Sequence, residues 1–296
     1  MKMSHRASKS YGNDSKPNGT TSLQNYLNEH PEILGHPQIE FGFFKDDAMY
    51  ANGYEKEFSR HFTAGNINTA KAVVAKNTGM YDSEKALERL RQHNPDCKLV
   101  FIVREPVSRA YSSYSMEKFN GLLTRDFSEI KDVIEEKRFD DMMYRFFIRL
   151  GLYSEFLKSI YKFFPENQVK IVLFEKLGKD PAGVCREIFQ WLNIDPSFTP
   201  STEKEYNKTQ KPKSVLVSNI LMRLRSNDNV IKKVAKKVLP YKVFTRLGTF
   251  LIESNKSSKR TKPISPEIKE YLQQFFAPYN KELEELAKID LNGWRK

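Results

Sequence analysis

Cysteine is scarce in this 296-residue chain, with Cys97 and Cys185 alone. Their separation fits no zinc or disulfide framework; one falls beside a predicted strand and the other inside a predicted helix. Buried, reduced thiols follow, which suits a reducing compartment. Long apolar runs are missing as well. No stretch approaches the ~20 residues a membrane helix needs, and the amino terminus is polar where a signal peptide would be apolar. These absences predict a soluble, cytoplasmic protein with no transmembrane segment, and no metal site is visible in the pattern. The chain also lacks repeats, low-complexity tracts and a clear interdomain linker. A single domain over residues 17–296 is therefore expected, after a polar, disordered stretch at 1–16.

Negative charge is depleted in one region. Between residues 201 and 262, 16 Lys or Arg stand against 4 Asp or Glu, an excess equal to the +12 of the whole chain, so the remainder is neutral in sum. Such a segment suits a polyanionic cofactor, an acidic glycan, an anionic membrane surface or nucleic acid, or else is a solvated face of lysines. Nucleic acid is the weakest of these partners, because no aromatic-interleaved RNP, zinc or helix-turn-helix signature accompanies the charge.

The stretch KLVFIVREPVSRAYSSYSMEKF at 98–119 carries the clearest chemistry. Residues 99–103 form a short, β-branched apolar run that reads as a strand buried on both faces of a parallel sheet. Arg104 follows at once, Glu105 leans away from helix before a proline, and Pro106 suits a first helical position. An arginine thus stands at the carboxyl edge of a strand, where open α/β sheets bind ligands. Ser108 and Ser112 share a face of the next helix, so a hydroxyl pair and an arginine could converge on a phosphate. A second cradle lies near the amino terminus. Gly19, Thr20, Thr21 and Ser22 precede a predicted helix at 24–30, with a glycine that lets backbone approach an anion and three hydroxyls in the first turn. Thr20 stands where a nucleotide-hydrolysing P-loop needs lysine, which argues against ATP hydrolysis.

Elsewhere, residues 71–76 and 169–174 read as strands. Asp82 is expected to cap a helix with Ala86, Leu87 and Leu90 buried, and helices are expected at 127–137, 142–164 (with Phe146, Leu150, Tyr153 and Leu157 inward) and 215–225. Asp180-Pro181 and Ser265-Pro266 open two more helices with cap and N1 proline in the right order. The alternation predicts an α/β fold, a parallel sheet with helices on both faces.

Arg104-Glu-Pro-Val-Ser-Arg-Ala-Tyr-Ser112 resembles the 3′-phosphate-binding segment of sulfotransferases that use 3′-phosphoadenosine-5′-phosphosulfate (PAPS). Gly19-Thr-Thr-Ser-Leu23 is similar to that family's 5′-phosphosulfate loop, Phe174-Glu-Lys-Leu177 to its Tyr-Glu-Asp-Leu, and the end through Trp294 to its carboxyl terminus. The resemblance implies a P-loop-like nucleotide-binding sulfotransferase fold and sulfuryl transfer from PAPS to a hydroxyl or amine of an acceptor glycan or small molecule, with no metal. It assigns donor binding to Gly19, Thr20, Thr21, Ser22, Arg104 and Ser112, with Lys211 and Lys213 closing over the phosphates. Glu40 falls on the family's general base, although as a bare residue it reads as a surface acid, and Lys76 falls on a lysine near the acceptor whose flanking Ala75, Asn77 and Thr78 do not match. Two departures stand out: Pro17 occupies the place of the loop lysine, with Lys16 one position earlier, and residues 8–15 are too polar for the family's first strand. These keep open a catalytically impaired, sulfotransferase-like nucleotide-binding protein, and more remotely a basic nucleic-acid-binding one.

Overall fold

The computed structural model describes residues 19–36, 40–62, 69–119, 123–201, 211–212, 256–257 and 263–295. In chain order, α1 (Thr20–Asn28) leads to β1 (Ile33–Leu34), α2 (Asp47–Ala51), α3 (Tyr54–His61), β2 (Ala72–Val73), α4 (Glu84–His93) and β3 (Leu99–Val103). Then come α5 (Pro106–Phe119), α6 (Ile130–Glu135), α7 (Tyr153–Tyr161), β4 (Val169–Leu173), α8 (Phe174–Lys179) and α9 (Pro181–Leu192). The short β5 (Lys211–Pro212) and β6 (Lys256–Ser257) pair antiparallel, and α10 (Pro266–Ala287) follows. The chain divides into two compact units, 1–104 with 154–207 and 105–153 with 208–296.

The first unit holds the parallel pairings. Strands β3 and β4 run side by side from Leu99 opposite Val169 to Val103 opposite Leu173, and β1 pairs parallel with β2. Parallel neighbours need crossover connections, which the intervening helices supply. Leu23, Tyr26 and Leu27 of α1 pack with Ile102, Val172, Val184, Ile188 and Phe189 into one core. Helix α9 starts where its sequence says: Pro181 is at the first turn and the Asp180 side chain accepts from the Gly183 amide. Helix α4 is capped by Ser83, one residue later than expected, because Asp82 closes a 3₁₀ turn and accepts from Lys45 Nζ at 2.6 Å.

In the second unit, Val107, Ala110 and Tyr114 of α5 meet Phe127, Ile130, Val133, Phe147 and Ile148, with Ile268, Leu272 and Phe276 of α10. Ser265 caps α10 by accepting from Ile268 N, as its position before Pro266 requires. The continuous helix expected over 142–164 is broken into a π turn at Tyr144–Ile148, a 3₁₀ turn at Arg149–Gly151 and α7. The cause is tertiary. The buried Arg109 guanidinium donates to the carbonyls of Phe146 and Phe147 and so competes with the helical ladder. The extra residue in the π turn rotates the stripe by one position, leaving Phe146 exposed and Phe147 buried. Trp294 is buried, its ring 6.3 Å from that of Tyr153. The expected helix at 215–225 lies outside the described residues, and among those described no helix is long and apolar enough to cross a membrane.

Cys185 is buried, as expected, whereas Cys97 is only half-buried. Burial pushes Cys97 up to about 11 and Cys185, inside α9, up to about 12. Only the thiolate is an effective nucleophile. At pH 8 neither cysteine of the native protein should react appreciably with iodoacetamide, and both should react once guanidinium unfolds it; mass spectrometry of the alkylated chain reads the count, and fast labelling of native Cys185 would contradict this packing.

Candidate active site

Helix α1 begins on Gly19, whose φ of 70° lies in the left-handed region and whose missing side chain leaves the helix without a capping group. A Cβ there would sit 3.0 Å from Leu177 Cδ2 and 3.0 Å from Phe174 Cδ2, so both the backbone angle and the space demand glycine. The chain therefore turns into the helix with the first-turn amides directed outward beside the hydroxyls of Thr20, Thr21 and Ser22, the arrangement that favours a phosphate. The helix starts four residues earlier than periodicity suggested because the glycine turn, and not the apolar stripe, sets its first residue.

Lys76 is the side chain that reaches this loop. It follows β2, is 9% exposed, and its Nζ donates to Thr21 Oγ1 at 2.8 Å while standing 3.7 Å from Glu40 Oε1. The backbone around it is fixed from two sides. Its amide donates to His36 Nε2 at 3.2 Å, and its carbonyl accepts from the Phe41 amide at 2.7 Å. Gln24 of α1 lies 3.1 Å from the same His36 nitrogen and donates to the His36 carbonyl at 3.2 Å. The segment carrying Lys76 is thereby tied to helix α1, which the Gly19 turn opens.

Glu40 is held in turn. Its Oε2 accepts from the Thr78 amide at 2.7 Å and its Oε1 from the Thr78 hydroxyl at 2.8 Å. Asn77 Nδ2 donates to Phe41 O, and Lys45 Nζ donates to Gly79 O, which closes the two segments together like a clasp. A carboxylate and a helix-terminal hydroxyl thus both lie close to one ammonium, with the carboxylate side chain 28% exposed.

Arg104 leaves the end of β3 and stacks its guanidinium 4.7 Å from the centre of the Phe174 ring. Phe174 is the ring that also abuts Gly19, so the first residue of α8 supports both the loop and the arginine. On α5, Ser108 is exposed and Ser112 half-buried, one turn apart. The first-turn amides there are taken: the Glu105 carboxylate accepts from Val107 N at 2.8 Å and Ser108 N at 2.7 Å, which leaves anion binding on that helix to side chains. Lys16, Pro17 and Lys213 lie outside the described residues, as does the side chain of Lys211. No short motif marks His36 or Gln24, and in sequence Thr78 is only a non-matching neighbour of Lys76, a hydroxyl two residues beyond it. No group of three or more His, Cys, Asp or Glu among the described residues is placed to hold a metal ion.

The sequence matches the family model of the sulfotransferase domain over residues 18–281, most of the chain and parts of both units. The chain belongs to the sulfotransferase domain family. It is 27% identical over 190 residues to mouse heparan sulfate glucosamine 3-O-sulfotransferase 5, covering 61% of this chain and 52% of that protein. It is also 27% identical over 191 residues to mouse bifunctional heparan sulfate N-deacetylase/N-sulfotransferase 4, covering 62% of this chain and 22% of that one. The chain spans about half the length, or less, of these curated relatives. A sulfotransferase from Alicyclobacillus acidocaldarius shares its fold, with a TM-score of 0.64 over 95% of this chain and 96% of that one at 24% identity. The parallel α/β arrangement is therefore that of the sulfotransferase fold.

In this sulfotransferase-family chain, Gly19→Ala should cost about 1 to 3 kcal/mol, from the left-handed backbone and the crowding by Phe174 and Leu177. Urea denaturation measures it. A variant as stable as the parent would show that the loop can turn some other way.

Proposed function

We propose that this protein transfers a sulfuryl group from PAPS to a hydroxyl or amine of a carbohydrate acceptor. The observation that carries the proposal is the position of Lys76, whose ammonium links the loop at Thr21 to the carboxylate of Glu40. The fit to the donor rests on this chain's own residues: a glycine turn that a Cβ would fill, first-turn amides and hydroxyls, and an arginine at the strand edge. The names of the curated relatives favour a glycan acceptor.

In this reading the acceptor O–H or N–H gives its proton to Glu40 as the acceptor atom bonds to sulfur. The bond from sulfur to the bridging phosphate oxygen breaks in line, and adenosine 3′,5′-bisphosphate leaves. Negative charge grows on that bridging oxygen, and Lys76 with the α1 amides is the fixed positive charge that offsets it. Lys76 takes the share that the family gives to a loop lysine, whose place Pro17 occupies here; Lys16 is the second candidate for that cation. Arg104 reads the 3′-phosphate. Ser112, Lys211 and Lys213 enter the proposal from the motif alone.

The decisive experiment follows radiolabelled sulfate from PAPS onto a panel of heparosan oligosaccharides, amino sugars, simple amines and phenols. Label on a saccharide supports the reading, label on phenols alone moves the acceptor class, and no transfer with tight adenosine 3′,5′-bisphosphate binding favours a nucleotide-binding protein without catalysis. Arg104→Ala should weaken adenosine 3′,5′-bisphosphate by ~2 to 3 kcal/mol and adenosine 5′-phosphate far less. Calorimetry with both nucleotides checks it; equal losses would remove Arg104 from the 3′-phosphate. Glu40→Gln should lower kcat by roughly a hundredfold or more with donor affinity nearly intact, read in the same transfer assay. Unchanged turnover would return Glu40 to a surface acid.

A further inference from the structure

The two oxygens of Glu40 are bound by two donors of a single residue. Thr78 N–H reaches Oε2 at 2.7 Å and Thr78 Oγ1 reaches Oε1 at 2.8 Å. A glutamate left 28% exposed at a surface samples many rotamers, and one hydrogen bond still lets its carboxylate swing about that contact. One donor on each oxygen fixes both the position and the plane. We propose that Thr78 is the positioning residue for Glu40, setting the carboxylate in the single orientation in which it faces Lys76 and the loop of Thr21. This inference rests on the reading of Glu40 as the base.

Thr78 is itself immobilised. Asn77 accepts from the Gly79 amide through Oδ1 at 3.0 Å and donates to Phe41 O, so the turn that presents Thr78 is bonded to the residue next to Glu40. Lys45 Nζ holds Gly79 O and Asp82 Oδ1, each at 2.6 Å. Oε1 is the oxygen that Thr78 Oγ1 and Lys76 Nζ share, so losing the hydroxyl would free the carboxylate to pivot on Oε2 and loosen its contact with Lys76. The hydroxyl therefore governs both how the base is aimed and how the ammonium divides itself between base and loop. Thr78 is a positioning residue and touches no reacting atom.

The test uses Thr78→Val, which keeps the shape and the amide but removes the hydroxyl, beside Thr78→Ala and Thr78→Ser. Valine and alanine should each lower kcat by about tenfold or more, with the KM for PAPS and calorimetric affinity for adenosine 3′,5′-bisphosphate within about twofold of the parent. Serine, which restores the donor, should recover most of that loss. In a Glu40→Gln background Thr78→Val should change kcat by less than about twofold, because the group it positions is gone. An undiminished tenfold effect in that background, or no rescue by serine, would overturn the inference and leave the role of Glu40 intact. A fully active Glu40→Gln would instead remove the base reading and this inference with it. A crystal structure of Thr78→Val with adenosine 3′,5′-bisphosphate supplies a readout independent of any acceptor: Glu40 should be turned away from Lys76, and an unmoved Glu40 would overturn the inference.

Discussion

An almost buried ammonium must find partners, and the site is arranged around meeting that need for Lys76. At an effective dielectric constant of ~20, a unit pair about 4 Å apart attracts by roughly 4 kcal/mol, much of it offset by desolvation. A geometry held by one ion pair would be loose. Here the lysine backbone is bonded to His36 and Phe41, and its side chain to Thr21, so its direction is set before the carboxylate contributes. The arrangement gives preorganised positive charge at a helix terminus, the feature on which the proposed transfer relies.

In the Arg-Glu-Pro-Val-Ser-Arg-Ala-Tyr-Ser segment, a motif proposed for donor recognition also carries architecture. Arg104 stacks on Phe174, but Glu105 occupies the first-turn amides of α5, and Arg109 bonds the carbonyls of the π turn. Two of the motif's charged residues are thus spent on holding the backbone. Substituting Arg109 would disturb the core of the second unit, where its guanidinium is buried against the turn that orients Phe147.

Local chemistry was legible where a few adjacent residues decide it. The apolar β-branched run of β3, the proline opening α5 and the caps of α9 and α10 follow from sequence because capping and strand propensity act over three or four residues. The helix expected over 142–164 failed because Arg109, more than thirty residues upstream, claims two of its carbonyls. Asp82 was misread as a cap for a similar reason, since Lys45 draws it into a different contact.

The sequence by itself determined the α/β alternation, the glycine turn at Gly19, the arginine at a strand edge and the candidacy of Glu40 and Lys76, because each is carried by a short motif in family order. Only the tertiary structure decided that Lys76 meets Thr21 and Glu40, that Thr78 grips both oxygens of that carboxylate, and that Phe174 lies against both Gly19 and Arg104. Those pairings join residues 36 to 155 positions apart, and no local propensity encodes a partner at that separation. Packing of the first unit's core and the clasp between the segments after Glu40 and Lys76 bring them within bonding distance.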